Sequence, residues 1–124
     1  MIKYEVTINE NGSEHWCKDG LLHRENDLPA VISPDGSKYW YIENKLHRDN
    51  DLPAVILADG RQYWYKEGKS HRDNGPAIIW HNGIKEYYLN DKKVLEEEVM
   101  GKKKYTIEDI KNMSVQELLD KLNS

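Results

Sequence analysis

The residues of this chain that could do chemistry come in three matching sets. His23-Arg24-Glu25, His47-Arg48-Asp49 and His71-Arg72-Asp73 each place an imidazole, a guanidinium and a carboxylate side by side, at a constant step of 24 residues. Imidazoles ligate zinc or move protons, and a guanidinium takes a carboxylate or phosphate through two parallel hydrogen bonds. The spacing weighs against the imidazole chemistries. If each unit contributes two strands about 4.8 Å apart, equivalent His residues lie roughly 10 Å from one another, whereas zinc holds its nitrogens at about 2.1 Å. Catalysis asks for unlike groups in unlike surroundings, and repetition gives every copy the same surroundings. No catalytic residue, metal site or cofactor is therefore expected, and the chain reads as a non-enzyme.

Two uses remain for the arginine row. In one, Arg24, Arg48 and Arg72 pair with Glu25, Asp49 or Asp73, or with a carbonyl of the next unit, and form a structural ladder with His packed at each corner. In the other, the row receives carboxylates or phosphates of a nucleotide or other anionic ligand, helped by stacking on Trp40 and Trp64. The aromatics form a second candidate set. Side chains alternate faces in Tyr39-Trp40-Tyr41-Ile42 and Tyr63-Trp64-Tyr65, so one aromatic face can be core while the other needs a cover or a partner. Trp40, Trp64, Tyr41 and Tyr65 are thus binding candidates. Trp80, His15 and His81 break the repeat and join them.

These residues sit in a tandem array. The blocks end in Leu28-Pro29-Ala30, Leu52-Pro53-Ala54 and Gly75-Pro76-Ala77, and Gly12, Gly36, Gly60 and Gly83 each precede an aromatic by four positions, namely Trp16, Trp40, Trp64 and Tyr87. That makes three full units and a fourth begun, about the minimum that can bury its faces by stacking. Asn11-Gly12, Asp35-Gly36, Asp59-Gly60 and Asn82-Gly83 predict type I′ hairpin turns. A second reversal follows at Lys18-Asp19-Gly20, Glu43-Asn44-Lys45, Glu67-Gly68-Lys69 and Asn90-Asp91-Lys92. The prolines must interrupt pairing and bend the chain into a corner. The expected fold is mainly β, a single antiparallel meander of ~24-residue β-hairpin repeats over residues 1–95. Residues 96–124 read as a charged linker, with the Glu and Lys runs solvated, and one or two short amphipathic helices that cap the sheet. Ser114 with Glu117 and Thr106 with Asp109 mark their starts, and Val115, Leu118, Leu119 and Leu122 form an apolar stripe.

Composition narrows the function. With 22 acidic and 18 basic residues the net charge is −4, which argues against nonspecific nucleic-acid binding and against a polybasic membrane surface. No apolar stretch approaches the roughly 20 residues of a membrane helix. The single cysteine, Cys17, excludes an internal disulfide and reads as a small packed side chain. A cytoplasmic protein is expected. The first strand, Tyr4-Glu5-Val6-Thr7-Ile8, leaves an edge through which two copies could pair as a homodimer.

The unit His-Arg-Asp/Glu-Asn followed by Pro-Ala, then Asp-Gly-x-x-x-Trp-Tyr, resembles a tandem repeat of bacteriophage and giant-virus proteins written around an HRxxGPA core, and more loosely MORN-type β-hairpin repeats. The likeness runs from about Gly12 to Lys93, with the Gly-Pro of the core intact only at Gly75-Pro76. It implies an elongated hairpin array acting as a protein-binding surface. In that company a small protein of this size is expected to inhibit a host enzyme or defence complex, for example as an anti-CRISPR, with a host protein as partner.

Overall fold

The computed structural model describes residues 1–101 and 104–123. Every unit is built from two tight turns of different chemistry. At the first, Gly12, Gly36, Gly60 and Gly83 alone take positive φ (85 to 95°), while Asn11, Asp35, Asp59 and Asn82 before them do not. Gly36 N–H donates to Ser33 O, and Ser33 N–H donates to Ser37 O. This is a type I turn closed by a left-handed glycine, not the type I′ turn that Asx-Gly predicts. The Asx residue serves instead as a side-chain acceptor: Asp35 Oδ1 takes the Ser37 N–H at 2.9 Å, Asn11 Oδ1 that of Ser13, Asp59 Oδ1 that of Arg61 and Asn82 Oδ1 that of Ile84. The type I′ geometry appears at the second turn, where Asp19-Gly20, Glu43-Asn44, Glu67-Gly68 and Asn90-Asp91 have both residues at positive φ.

Among the described residues fourteen short strands follow from this alternation. The unit boundaries are carried by β1 (Glu5–Ile8), β4 (Val31–Ile32), β8 (Val55–Ile56) and β12 (Ile78–Ile79). The aromatic strands are β2 (Glu14–Lys18), β5 (Lys38–Tyr39) with β6 (Tyr41–Ile42), β9 (Gln62–Tyr63) with β10 (Tyr65–Lys66), and β13 (Lys85–Leu89). Their hairpin partners are β3 (Leu21–Leu22), β7 (Lys45–Leu46), β11 (Lys69–Ser70) and β14 (Lys92–Val94). The main antiparallel sheet runs β1-β2-β4-β5-β8-β9-β12-β13-β14, with β3 on β2, and β6-β7 and β10-β11 form small hairpins of their own. Each inner aromatic strand is therefore divided at its tryptophan: the half before Trp40 or Trp64 belongs to the meander, the half after it to the small hairpin.

The core repeats with the units. Ala30, Ala54 and Ala77 are fully buried, and Val31, Val55, Ile78, Trp40, Trp64 and Tyr87 are buried around them. The residue after each corner proline is thus small because the chain passes against its neighbour there, and the β-branched residue after it packs on the pleated surface. Trp16, at the first unit, is only half-buried.

The tail is more structured than a solvated linker. The Glu run starts helix α1 (Glu96–Met100), which packs beside β13; α2 (Ile107–Lys111) and α3 (Val115–Leu122) follow. Burial, followed by the charge and hydrogen bond of Glu96, pushes the Tyr87 phenol up. Thr106 and Asp109 make a reciprocal capping box, whereas Ser114 accepts from Glu117 N–H without the return bond. The apolar stripe of α3 is present but Val115, Leu119 and Leu122 remain exposed, so the close cover on β13 is α1. In the Lys run, Lys102 and Lys103 lie outside the described residues. No helix among the described residues is long and apolar enough to cross a membrane.

Candidate functional site

The proline corners bring the repeated side chains together. After each β3-type strand the chain leaves the sheet through His-Arg and returns at Pro-Ala, and Asn26-Asp27 and Asn50-Asp51 turn it by adopting left-handed φ (56 to 62°). Asn and Asp tolerate this region better than other side-chain-bearing residues. The turn aims each Asp forward, to the arginine of the next unit. Gly75 replaces the Asn-Asp geometry with a shorter link, and it sits so close to Arg72 that a Cβ there would lie 2.9 Å from Cζ.

Each corner arginine sits over the tryptophan ring of its own unit. The guanidinium carbons of Arg24, Arg48 and Arg72 stand 3.6, 3.8 and 4.0 Å from the ring centroids of Trp16, Trp40 and Trp64, within the range where the ring quadrupole attracts a cation. Nη1 of each donates to the corner carbonyl, of Pro29, Pro53 or Pro76, at 3.1 to 3.2 Å. The opposite edge holds a carboxylate of the preceding unit: Arg48 Nε and Nη2 donate to Asp27 at 2.8 and 3.2 Å, and Arg72 does the same to Asp51. The main-chain oxygens of the same Asp27 and Asp51 accept from Trp40 and Trp64 Nε1–H at 3.1 Å. The ladder exists, but its carboxylates are not Glu25, Asp49 and Asp73, and its carbonyls come from the same corner rather than the next unit. The Arg48 and Arg72 hydrogen bonds hold the Asp27 and Asp51 carboxyls below the usual range, against a smaller upward push from burial.

Glu25, Asp49 and Asp73 belong to the histidines. His47 and His71 Nε2 lie 2.8 Å from Asp49 and Asp73, and His23 Nε2 lies 3.4 Å from Glu25. Nδ1 of each imidazole accepts a backbone N–H from the next unit, of Glu43, Glu67 or Asn90, at 3.0 to 3.1 Å. A ring nitrogen that accepts carries no proton, so the neutral ring keeps its proton on Nε2 and donates it to the carboxylate. Each imidazole thus fastens one unit to the next. Among the described residues no group of His, Cys, Asp and Glu is placed to hold a metal ion.

Between corners lie two grooves. One, of about 230 Å³, is lined by Arg24, Asp27, Trp40, Tyr41 and Arg48 among others, and its copy one unit on, of about 160 Å³, by Arg48, Asp51, Trp64, Tyr65 and Arg72. Of the sequence candidates, Arg24, Arg48, Arg72, Trp40, Trp64, Tyr41 and Tyr65 therefore gather at the grooves. Trp40 and Trp64 are buried under their guanidiniums, and Tyr41 and Tyr65 are half-buried. Burial, with Tyr39 and Tyr65 nearby, pushes the Tyr41 phenol up. Trp80 lies apart at the last Asn-Gly turn, edge-on to Tyr63 at 6.2 Å and under Arg61 at 5.9 Å. His15 contacts Asn9, His81 is exposed, and Cys17 is half-buried on β2. Sequence reasoning missed Asp27 and Asp51, although their recurrence one unit before each inner arginine was there to be read.

Comparison of the chain with protein-family models, with curated proteins and with solved structures finds no match.

Proposed function

We propose that this chain is a non-enzymatic protein-interaction module that docks through its corner face on a protein surface bearing Lys and Arg side chains. One observation carries the reading. Arg48 and Arg72 are spent inside the chain, on Asp27, Asp51 and the tryptophan faces, while the acids beside the corners point outward: the side chains of Glu25, Asp49 and Asp73 are 43, 80 and 64% exposed. The face a partner meets is acidic at its rim, with Tyr41 and Tyr65 in the grooves behind. Complementary charge steers association and fixes register, and desolvated tyrosines anchor it. Trp40 and Trp64 support this surface from below and do not themselves reach a partner. An inhibitor of a host enzyme or defence complex, of the anti-CRISPR kind, is the concrete form that the repeat's resemblance suggests.

The nucleotide or anion-binding alternative loses two of its three arginines by the same observation. Arg48 and Arg72 side chains are 13 and 18% exposed and already neutralised.

The test is capture from a bacterial lysate by the tagged chain, in parallel with an Asp49→Lys/Asp73→Lys variant of verified fold, read by mass spectrometry across a salt series. A stoichiometric protein lost on charge reversal supports the reading. Equal capture by both chains, or recovery of nucleotides alone, sinks it.

A further inference from the structure

The arginine ladder begins one rung before its first acid. Arg24 repeats every feature of Arg48 and Arg72 within its own unit: the guanidinium lies on Trp16 at 3.6 Å, and Nη1 donates to Pro29 O at 3.2 Å. In the other two rungs the remaining Nε and Nη2 edge grips a carboxylate. In this one no carboxylate of the described residues pairs with Arg24, although the residue is half-buried and its charge is fixed.

The register shows what stands in the acid's place. β1 pairs with β2 at Thr7↔His15 and Ile8↔Glu14, as β4 pairs with β5 at Val31↔Tyr39 and Ile32↔Lys38, so β1 occupies the position of β4 one unit earlier. Counting back along the same segment, Lys3 stands 24 residues before Asp27. The position that supplies the acid to Arg48 and Arg72 is thus a cation at Arg24. Lys3 is exposed, and Tyr4 next to it seals the corner, its ring edge-on to Trp16 at 5.3 Å and its hydroxyl accepting Glu25 N–H at 3.0 Å. Trp16 Nε1–H, which lacks the carbonyl that Asp27 and Asp51 offer to the other tryptophans, is taken by Glu14 at 2.9 Å. Glu25 N–H, Trp16 Nε1–H and Arg24 Nη1 thus find partners within the chain, and among the described residues the Nε and Nη2 edge of Arg24 meets no carboxylate.

We propose that Arg24, on its Trp16 platform and with Lys3 at the acid's register position, is a receptor for the aspartate carboxylate of an acidic segment in a partner protein. The chain itself supplies the precedent, since Asp27 and Asp51 in Asn-Asp-Leu-Pro corners are the ligands of the two other forks. A second copy does not offer the same corner acid: its Asp27 and Asp51 are bound to its own arginines, and its last corner carries Gly75 in that place. The inference does not rest on the corner-face reading, which concerns an outward acidic rim and a basic partner.

The test follows the four Arg Nε–H signals, of Arg24, Arg48, Arg61 and Arg72, in the full ¹⁵N-labelled chain while the blocked peptide acetyl-Asn-Asp-Leu-Pro-amide is titrated in. A saturable shift of the Arg24 signal alone is expected, and a peptide with Asn in place of Asp should bind roughly tenfold or more weakly because the charge-assisted fork is lost. Lys3→Asp supplies the acid within the chain, so Arg24 Nε–H should move toward the Arg48 and Arg72 positions, the thermal midpoint should rise, and peptide binding should disappear. No Arg24 shift, equal binding of the Asn peptide, or undiminished binding by Lys3→Asp overturns the proposal. Inorganic phosphate saturating Arg24 more tightly than the peptide overturns it as well, in favour of a free oxyanion.

Discussion

Arg48 and Asp27, 21 residues apart in sequence, close a two-bond fork of 2.8 and 3.2 Å across a unit boundary. The same guanidinium faces Trp40, whose Nε1–H returns to the Asp27 carbonyl. Three residues from two units thereby form one closed circuit, repeated by Arg72, Asp51 and Trp64. In a thin sheet whose fully buried side chains are alanines, such circuits replace part of what a thicker apolar core supplies elsewhere.

Removing the acid leaves a mostly buried cation without its counter-charge. Asp27→Ala should cost about 1 to 2 kcal/mol, the low part of the range for a charged hydrogen-bond partner because the carboxylate is half-exposed. Asp49→Ala, whose side chain is 80% exposed, should stay within about 0.5 kcal/mol. Urea unfolding of the two variants measures both, and equal costs would refute the assignment of the fork to Asp27.

Acid should unfasten the ladder. The Asp27 and Asp51 carboxyls are held below their usual range by Arg48 and Arg72, so their folded pKa values lie below the unfolded ones. A depressed folded pKa contributes stability that is full above the unfolded value, about 4, and is lost as pH falls through the folded value. The thermal midpoint should therefore fall below about pH 4 in the parent chain, and fall less steeply in an Asp27→Asn/Asp51→Asn variant. Parallel curves would assign acid sensitivity to other groups.

Much of this fold is legible in the residues and part of it is not, for reasons that differ by position. Period, strand content and the antiparallel meander follow from His23, His47 and His71 and from the recurring glycines, because repetition multiplies each weak local signal. Turn type is not legible because an Asp before a Gly serves two turns equally: here the Asp35 side chain accepts the Ser37 N–H, which needs no positive φ, while Glu43-Asn44 adopts the type I′ pair without a Gly. The arginine partners were misassigned because Glu25, Asp49 and Asp73 are adjacent in sequence, whereas the left-handed corner at Asn26-Asp27 turns the more distant acid toward Arg48. Adjacent side chains in extended backbone point apart, and only the corner geometry decides which acid arrives.

The tryptophans should rank by position in the array. Trp40 and Trp64 are 7 and 6% exposed and carry a guanidinium each, so Trp40→Ala should cost about 3 to 5 kcal/mol and unfold the chain at moderate temperature. Trp16 is half-buried in the first unit, where stacking has a neighbour on one side only beyond β1, and Trp16→Ala should cost less and leave the later units protected in hydrogen exchange. A uniform loss of protection in both variants would show that the array unfolds as a single unit.

Gly75 tests the circuit from its outer end. Its φ is not in the left-handed region, so an alanine meets no backbone obstacle, and on entropy alone Gly75→Ala should stabilise by about 0.4 to 1 kcal/mol. Its Cβ, however, would lie 2.9 Å from both Cζ and Nη1 of Arg72, a group pinned between Trp64 and Asp51. Displacing that guanidinium breaks stacking and fork together, and a net cost of about 1 to 3 kcal/mol is expected. With Arg72→Ala in the background the obstacle is gone, and the same substitution should become neutral or stabilising. Thermal unfolding of the four chains of this cycle gives the coupling directly, and additive effects would show that Gly75 is not there to make room for Arg72.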